Sequence, residues 1–402
     1  MKFDEYFTMS EDQAVLYAKE ELASIFGEDA ELKCKEIGDG NLNYIFKIWD
    51  ENTDKSIIVK QSGPVARISD EFTLSPDRNR IEYEILKYEG ELAPGLVPLV
   101  YMYDPIMNCT VMDDLSDHQI MRAAMMQYKE FPLFAEHITD FMVNTLLLTT
   151  DVVLEHKHKK DLVKNFINPE LCEISEDLVY TEPFSDNKNR NDVFEPNKIW
   201  VEENLYNDKA LRLETAKLKF EFMNNAQSLI HGDLHTGSIF IKEDSTKVID
   251  PEFAFFGPMG YDVGNVIANL MFAWANSDAN NQVKHKEWLE KTIVEVVDLF
   301  LEKFSKAWDE HVNEYTAKYE GFKEYYIASV LKDTAGVTGL EGIRRIVGLA
   351  HVKDITSIKD EAKRIRAERI CMSSAKRFIL ERDKFSSGKA FLDVIKNAET
   401  QF

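Results

Sequence analysis

The spacing of hydrophobic residues divides the chain into a strand-rich first part and a helical remainder. The pattern predicts strands at five short runs that are rich in β-branched and aromatic residues: 32–37, 44–49, 56–60, 96–103 and 109–112. Turn-prone polar segments separate the first three runs, which is typical of an antiparallel meander. Helical spacing predicts a first helix at residues 10–26 and a second at residues 78–88.

Beyond residue 115 the apolar positions recur at helical spacing almost throughout. The pattern predicts long helices at six segments: 134–150, 204–230, 262–275, 284–308, 325–349 and 360–382. The exception is a predicted hairpin, in which residues 239–241 and 247–250 form two short apolar runs.

Strands followed by helices indicate the α+β class. We expect a two-lobed fold, with a small antiparallel β lobe at the N-terminus and a large, mainly helical lobe at the C-terminus. The predicted boundaries are a β-rich lobe at residues 1–112, a hinge at 113–117 and a helical lobe at 118–402. A chain of 402 residues is long enough for two such units.

The charge balance restricts what the chain can bind. Lys and Arg number 48 against 71 Asp and Glu, so the net charge is −23 with histidine neutral. Such acidity argues against nucleic acid and against an anionic membrane surface as partners, because both require a basic face. It does not exclude one small phosphate ligand, since backbone amides and a few cations decide the local potential.

Cysteine usage and the apolar stretches indicate a cytoplasmic protein. The four cysteines are scattered and none forms a Cys-x-x-Cys pair, which suits a reducing compartment. Residues 1–10 contain no basic segment followed by an apolar run, so we expect no signal peptide. The longest apolar stretch, residues 266–275, is too short to cross a bilayer and predicts a buried helix.

The strongest chemical signal is a pair of acidic motifs. Asp233 lies in the polar segment 231–235, and Asp250 and Glu252 follow it, separated by one predicted hairpin. Phosphoryl transfer requires this layout: one carboxylate orients the attacking hydroxyl and accepts its proton, and a second holds Mg²⁺. Asp250 and Glu252 flank Pro251, so an extended segment would direct both at one metal. A structural turn aspartate is the alternative for Asp233.

Two histidines near Asp233 raise the question of a different metal. His231 and His235 are four positions apart, but no third soft ligand is evident nearby, so zinc is disfavoured. We expect His231 to support the loop through side-chain hydrogen bonds.

A second signal lies among the predicted strands. The segment 38–43 contains two glycines between strands, which by itself is more often a turn than a phosphate-binding loop. Its weight increases because Lys60 ends the next strand, where kinases place a lysine that binds nucleotide phosphates. Glu82 and Glu84, on the following helix, are both candidate partners for Lys60. They face different sides, and Glu82 is favoured.

The segment 231–235 followed by Asp250 resembles the protein-kinase-like small-molecule kinases, to which aminoglycoside and choline kinases belong. More specifically, residues 231–238 joined to 250–258 resemble the 5-methylthioribose kinase family. The resemblance extends to the segment 38–43 and to the adjacent Arg344 and Arg345, so it covers nearly the whole chain.

This resemblance implies a protein-kinase-like fold, the use of ATP and Mg²⁺, and a homodimer. It implies transfer of the γ-phosphoryl group of ATP to the 1-hydroxyl of 5-methylthioribose in methionine salvage. Asp233 would be the catalytic base, Asp250 and Glu252 would bind the metal, and Arg344 and Arg345 would bind substrate beside Asp233. The implied nucleotide-binding residues are Gly40, Asn41, Asn43, Lys60, Glu82, Asp113, Asp114, Leu115, Asp250, Pro251 and Glu252.

Kinases place a metal-binding asparagine where this chain has Ser238, and a hydroxyl is a weaker ligand. We hypothesise that Glu252 supplies the missing oxygen, the alternative being that it lies outside the metal's ligands. By composition alone, Arg344 and Arg345 would be surface charges, and adjacent helix residues point about 100° apart. We expect Asp262 to orient the loop that carries Asp233.

Other functions remain open at this stage. A choline kinase would need an aromatic cage for the cation, and an aminoglycoside kinase would need an acidic lobe, which the net charge allows. A protein that binds nucleotides without catalysis is the alternative from a different class, although intact Lys60, Asp233 and Asp250 argue against it.

Overall fold

Strands and helices are segregated along the chain, and the predicted α+β class is confirmed. The structure, a computed structural model, describes residues 2–37, 43–63 and 77–402. The chain divides into two compact units: the first comprises Met1–His118 with Ile249–Phe253, and the second comprises Gln119–Val248 with Ala254–Phe402.

The first unit is built on a five-stranded antiparallel sheet with strand order β1-β2-β3-β5-β4. Its strands are β1 (Leu32–Glu36), β2 (Asn43–Asp50), β3 (Ser56–Ser62), β4 (Val100–Asp104) and β5 (Cys109–Asp113). Strand β3 is central and buried along almost its whole length, including its polar residues Lys60, Gln61 and Ser62. Lys60 of β3 lies opposite Ile45 and Thr110 of its neighbouring strands.

The described residues of the first unit also form three helices: α1 (Glu11–Glu21), α2 (Ala23–Phe26) and α3 (Asp77–Leu92). A capping box begins α1, in which the Ser10 hydroxyl accepts from the Gln13 amide and the Gln13 side chain accepts from the Ser10 amide. Helix α3 is anchored to the central strand, since Asn79 donates to the Lys60 carbonyl at 3.0 Å. This contact joins the first turn of α3 to the C-terminal half of β3.

The second unit contains five short strands: β6 (Gln119–Ile120), β7 (Ser228–Ile230), β8 (Ile239–Lys242), β9 (Ser245–Val248) and β10 (Phe255–Gly257). The predicted hairpin is confirmed as β8 and β9, to which β6 adds an outer strand. Strand β7 pairs with β10, and here the predicted helix over 204–230 was wrong. That helix ends at Asn224, and residues 228–230 form a strand because they pair with β10. Strand β10 lies about 25 residues further along the chain, beyond the reach of a local pattern.

The remaining residues of this unit are mainly helical. Its helices are α4 (Met121–Met125), α5 (Phe134–Leu147), α6 (His156–Asn165), α7 (Pro169–Leu178), α8 (Lys198–Val201), α9 (Lys209–Asn224), α10 (Gly260–Ala279), α11 (Val283–His311), α12 (Phe322–Val347), α13 (Lys353–Thr356), α14 (Glu361–Leu380) and α15 (Gly388–Glu399). Nearly every residue of α10 is buried. This agrees with the prediction of a buried helix at residues 266–275.

Glycines allow α12 to approach its neighbours closely. A Cβ added at Gly264 of α10 would lie 2.7 Å from the Thr334 carbonyl oxygen, and one at Gly339 would lie 2.4 Å from that of Ala375. These are distances that side chains do not tolerate, so the three helices α10, α12 and α14 are held in backbone contact. Among the described residues, no helix is both long enough and apolar enough to cross a membrane.

Candidate active site

In the first unit, a buried lysine lies between two carboxylates. Lys60 Nζ donates to Glu82 Oε1 at 2.7 Å and also contacts Asp250 Oδ1. Lys60 and Glu82 are almost fully buried, whereas the Asp250 side chain is 43% exposed. Burial acts to lower the pKa of Lys60, but Asp250, Glu82 and Glu252 outweigh it and raise that pKa above its usual range. Lys60 is therefore cationic and aimed at an accessible carboxylate.

Of the two glutamates considered as its partner, the structure brings Glu82 to Lys60. Glu84 instead pairs with Arg80, at 2.8 Å, one turn earlier on the outer side of α3. The helical period separates these two positions, because residues two apart on a helix face different directions.

The predicted loop over residues 38–43 is represented among the described residues by Asn43 alone, so Gly40 and Asn41 lie outside them. Asn43 opens β2 and is buried. Its side-chain oxygen accepts from Ser62 at 3.0 Å and from Arg78 at 3.1 Å, and its amide donates to Glu252 Oε2 at 3.4 Å. Asn43 is therefore linked to the second acidic motif.

Glu252 lies in a 3₁₀ turn, Pro251–Phe253, and Arg78 Nε lies 3.5 Å from its Oε2. Sequence reasoning missed Arg78, which lies in the first turn of α3 and belongs to no recognised motif. Just before the turn, Asp250 adopts a left-handed φ of 62°, a conformation that aspartate tolerates better than most residues. The turn thus presents two carboxylates two positions apart.

This pair suits a hard divalent cation. Mg²⁺ takes oxygen ligands from one or two carboxylates and completes its shell with phosphate oxygens and water. Asp250 and Glu252 provide two such donors, one of them accessible to solvent. Within the described residues, no group of three or more His, Cys, Asp or Glu side chains could hold a metal. A closed site made entirely of protein ligands is therefore not formed by them.

The predicted hinge residues have their side chains engaged within the first unit. The Asp113 carboxylate accepts from the Leu99 amide at 3.0 Å and from the Tyr101 hydroxyl at 2.6 Å. Asp114 lies 2.7 Å from Lys47 Nζ. Burial acts to raise the pKa of Asp114, but hydrogen bonds lower it, and the largest of these effects comes from Lys47. Leu115 accepts a backbone hydrogen bond from the amide of residue 118.

In the second unit, one buried carboxylate holds the backbone of the loop that carries Asp233. Asp262 accepts from the His231 amide at 2.7 Å and from the Gly232 amide at 3.0 Å. Gly232 has a φ of 80°, which glycine adopts without strain. The ring of His231 accepts from the Asp233 amide at 3.2 Å. Both contacts orient the turn that exposes the Asp233 carboxylate.

His235 closes the other side of the loop. Its Nδ1 accepts from the amides of Gly237 and Ser238, at 3.1 and 3.0 Å, and its Nε2 lies 3.5 Å from Asp233 Oδ2. Burial lowers the pKa of His235 to about 4. The ring is therefore neutral near pH 7 and directs its Nε2–H towards Asp233, because Nδ1 is the acceptor.

Both arginines of the predicted pair converge on Asp233. Nη2 of Arg344 and Nη2 of Arg345 each lie 3.8 Å from Asp233 Oδ1. They are not surface charges, since about a tenth of each side chain is exposed. Burial acts to raise the pKa of Asp233, but His235, Arg345 and Arg344 more than offset it and lower that pKa. Adjacent helix positions point about 100° apart, but the two arginine side chains are long and flexible enough for both to reach Asp233.

Three further residues connect this cluster, and sequence reasoning missed all of them. Glu341, on α12, contacts Nε of both arginines. Asn269, on α10, donates to Glu341 at 3.3 Å and accepts from Arg122 at 2.8 Å. Only Glu341 carried a usable signal, because it precedes the two arginines by three and four positions on a predicted helix.

Comparison with known proteins identifies the family to which this site belongs. A sequence model of the phosphotransferase enzyme family matches residues 174–291. Methylthioribose kinase from Geobacillus sp. (strain WCH70) is 42% identical over 91% of this chain and 90% of that protein. Methylthioribose kinase from Bacillus pumilus (strain SAFR-032) is 40% identical over 93% of each. A structure of choline kinase from Cryptosporidium parvum Iowa II covers 98% of this chain and 97% of its own, at 12% identity and a TM-score of 0.46.

Identity at this level over nine-tenths of the sequence is decisive for the family. The chain belongs to the methylthioribose kinase family and is a small-molecule kinase.

Proposed function

We propose that the protein transfers the γ-phosphoryl group of ATP to the 1-hydroxyl of 5-methylthioribose. The products are ADP and 5-methylthioribose 1-phosphate, and the reaction serves methionine salvage. The observation that carries the proposal is the Asp233 carboxylate flanked by Arg344 and Arg345. The names of its close relatives support the choice of acceptor.

Asp233 orients the 1-hydroxyl and receives its proton as the new oxygen–phosphorus bond forms. Its pKa is lowered from the usual value despite burial, because His235 and the two arginines stabilise the charged form. A carboxylate of low pKa is a weak base. Positioning therefore contributes more than proton abstraction, as a loose phosphoryl transition state requires. Arg344 and Arg345 stabilise the charge on the transferring group, which planar guanidinium groups suit well.

The first unit supplies the nucleotide and metal ligands in this proposal. Lys60, held by Glu82, binds the nucleotide phosphates, and Asp250 and Glu252 bind Mg²⁺. Held by these two carboxylates, the metal would neutralise charge on the nucleotide phosphates. The resemblance further assigns the backbone of residues 113–115 to adenine, and Gly40, Asn41, Asn43 and Pro251 to the nucleotide. A homodimer and a cytoplasmic location stay predictions of the sequence.

The charge around Asp233 argues against the two related kinase functions. Choline is a cation and aminoglycosides are polycations, and two guanidinium groups within 3.8 Å of the acceptor-binding carboxylate would repel either. A neutral sugar meets no such repulsion. The cluster therefore favours a neutral alcohol as the acceptor.

The test is ADP release from Mg·ATP in parallel reactions with 5-methylthioribose, choline, an aminoglycoside or no acceptor. We expect release that requires 5-methylthioribose and that falls by about 10²–10⁴-fold in Asp233→Asn, with nucleotide binding retained. Asp244→Asn, in the exposed turn between β8 and β9, is the matched control and should keep full activity.

Two results would contradict the proposal. Release that requires choline or an aminoglycoside would replace the acceptor. Tight ATP binding without turnover on any acceptor would favour a nucleotide-binding protein that is not catalytic.

A further inference from the structure

We propose that Glu341 is a positioning residue, which holds Arg344 and Arg345 so that both guanidinium groups act at Asp233. The inference rests on the proposed function of that site. It adds to the site a residue that lies outside the sequence motifs.

The helix places Glu341 between the two arginines. Arg344 and Arg345 follow it by three and four positions, so at about 100° per residue they flank it by roughly 60° and 40° on opposite sides. Each carboxylate oxygen takes one arginine: Oε2 contacts Arg344 Nε, and Oε1 accepts from Arg345 Nε at 2.8 Å. One side chain therefore draws two divergent arginines towards the same point.

Glu341 contacts the two arginines in a way that leaves their outer guanidinium nitrogens free to face Asp233. Glu341 uses Nε, the inner nitrogen of each guanidinium, and the outer Nη2 atoms lie 3.8 Å from the same oxygen of Asp233. That distance exceeds a hydrogen bond, so the Nη2 donors face the carboxylate without being bonded to it. They are aimed at the position where a transferring group would carry its charge.

Charge balance explains why this residue is an acid. Glu341 is 1% exposed, and burial acts to raise its pKa, but the two guanidinium groups outweigh burial and lower that pKa to about 2. It is therefore ionised near pH 7. Without it, two adjacent buried cations would face a single carboxylate and repel each other.

Glu341 is itself fixed by its surroundings. Asn269 donates to its Oε1 at 3.3 Å, and the same amide side chain accepts from Arg122 at 2.8 Å and from the Thr236 hydroxyl at 3.3 Å. Thr236 lies three positions after Asp233 in the same loop. One asparagine therefore holds both the Glu341 carboxylate and the loop that carries Asp233. A positioning role for Glu341 requires such a fixed relation between the two.

A purely structural ion pair is the alternative, and the chain offers a matched control for it. Glu368 on α14 is 2% exposed, accepts from Arg364 Nε at 2.8 Å and accepts from the Asn197 amide at 2.7 Å. It has the same type of environment as Glu341 but no arginine directed at Asp233. Any loss shared by the two glutamates is structural, and the excess at Glu341 is positional.

The experiment compares Glu341→Gln with Glu368→Gln, and measures Tm and the kcat and KM for both substrates. We expect similar losses of Tm. In Glu341→Gln alone, we expect a fall in kcat of about 10²-fold with the KM for ATP within about threefold of the wild-type value. Glu341→Asp keeps the charge but withdraws the carboxylate by about 1.5 Å. It should recover most of the Tm but not the kcat.

Three outcomes would overturn the inference: a kcat within about threefold of wild type in Glu341→Gln, an equal loss in Glu368→Gln, or full recovery of kcat in Glu341→Asp. If Glu341→Gln does not fold, the soluble Glu341→Asp variant decides alone. The comparison uses whichever acceptor the wild type phosphorylates. A wild type that ignores 5-methylthioribose but uses another alcohol overturns the proposed substrate only, and one that phosphorylates none overturns both.

Discussion

At Lys60, a cation almost wholly removed from water is held by Glu82 and Asp250. Removing a charge from water costs several kcal/mol, and only well-placed opposite charges offset that cost. Glu82 has no other ion-pair partner among the described residues, so its contact with Lys60 defines the position of the lysine. Glu84, two residues on, pairs with Arg80 where solvent weakens the attraction.

Glu82→Gln and Glu84→Gln should therefore differ sharply. Glu82→Gln removes one partner of a buried pair, so we expect the free energy of unfolding to fall by about 3 kcal/mol. We also expect kcat/KM for ATP to fall by about tenfold or more, as Lys60 loosens. Glu84→Gln should change the free energy of unfolding by less than about 1 kcal/mol. Chemical denaturation and steady-state kinetics measure both quantities, and similar effects of the two variants would contradict this account.

His235 shows how a local contact sets a protonation state. Its Nδ1 accepts two backbone amides, so a proton there would replace two attractive contacts with repulsion. Burial, which lowers the pKa to about 4, acts in the same direction. The folded protein therefore resists protonation of this ring.

This resistance makes stability depend on pH. Above about pH 6.5 the ring is neutral in both states; below it, the unfolded chain binds a proton that the folded chain refuses until about pH 4. The free energy of unfolding should then fall, by on the order of 3 kcal/mol in total over that interval. His235→Asn can still accept a backbone amide but cannot titrate, so its stability should decline less between these pH values. Parallel profiles of the two proteins in denaturant titrations would contradict the assignment.

At the scale of elements, the packing of α12 against α14 is decided by backbone contact. Gly339 lies against the backbone and Ile379 of α14, whereas Gly336, one turn earlier, lies against the end of the Leu218 side chain. Backbone atoms cannot move aside, but a leucine can change rotamer. The same type of residue on one helix therefore carries two different constraints.

Alanine substitutions at these glycines should separate the constraints. In an unconstrained helix, glycine to alanine stabilises by about 1 kcal/mol. Gly339→Ala should instead destabilise by about 1–3 kcal/mol, since its Cβ would lie 2.4 Å from the Ala375 carbonyl oxygen. Gly336→Ala should be close to neutral. Thermal unfolding measures both, and an unchanged or raised Tm for Gly339→Ala would contradict the close contact.

Strand β7 illustrates an element that local pattern could not identify. Its three residues, Ser228–Ile230, follow a periodic helical segment and continue its apolar character. The paired asparagines at 224 and 225 were the only local sign of a helix end. The strand exists because Ile230 and Leu229 pair with Phe255 and Phe256, a contact outside any local window.

At the scale of the whole molecule, the net charge of −23 dominates the electrostatics. Excess charge of one sign destabilises a compact state through self-repulsion, and salt screens that repulsion. Salt also weakens surface ion pairs, but each of these contributes little. We therefore expect the repulsion among the excess acidic residues to outweigh the attraction within the surface ion pairs.

Stability should accordingly rise with moderate salt. Between about 20 and about 200 mM NaCl, we expect Tm to increase by roughly 1–3 °C. Differential scanning calorimetry at fixed pH measures the change. A Tm that falls over this range would show that the attractive surface ion pairs outweigh the net repulsion.

The sequence alone determined the class of the fold and the types of residue that carry chemistry. Periodicity is a local property, so it predicted the central strand with Lys60, the β8–β9 hairpin and the buried helix α10. Motif spacing is also local, and it singled out Asp233, Asp250 and Glu252, whereas the arginine pair was assigned to the site only by the family resemblance.

The tertiary structure decided which of these groups meet. No local pattern specifies that Arg78 and Asn43 contact Glu252, or that Asn269 connects Arg122 to Glu341. Helical spacing even argued that Arg344 and Arg345 diverge, and it is the carboxylate one turn earlier that brings them together. The physical reason is that charge pairing and burial depend on distances between segments remote in sequence, which only the folded chain defines.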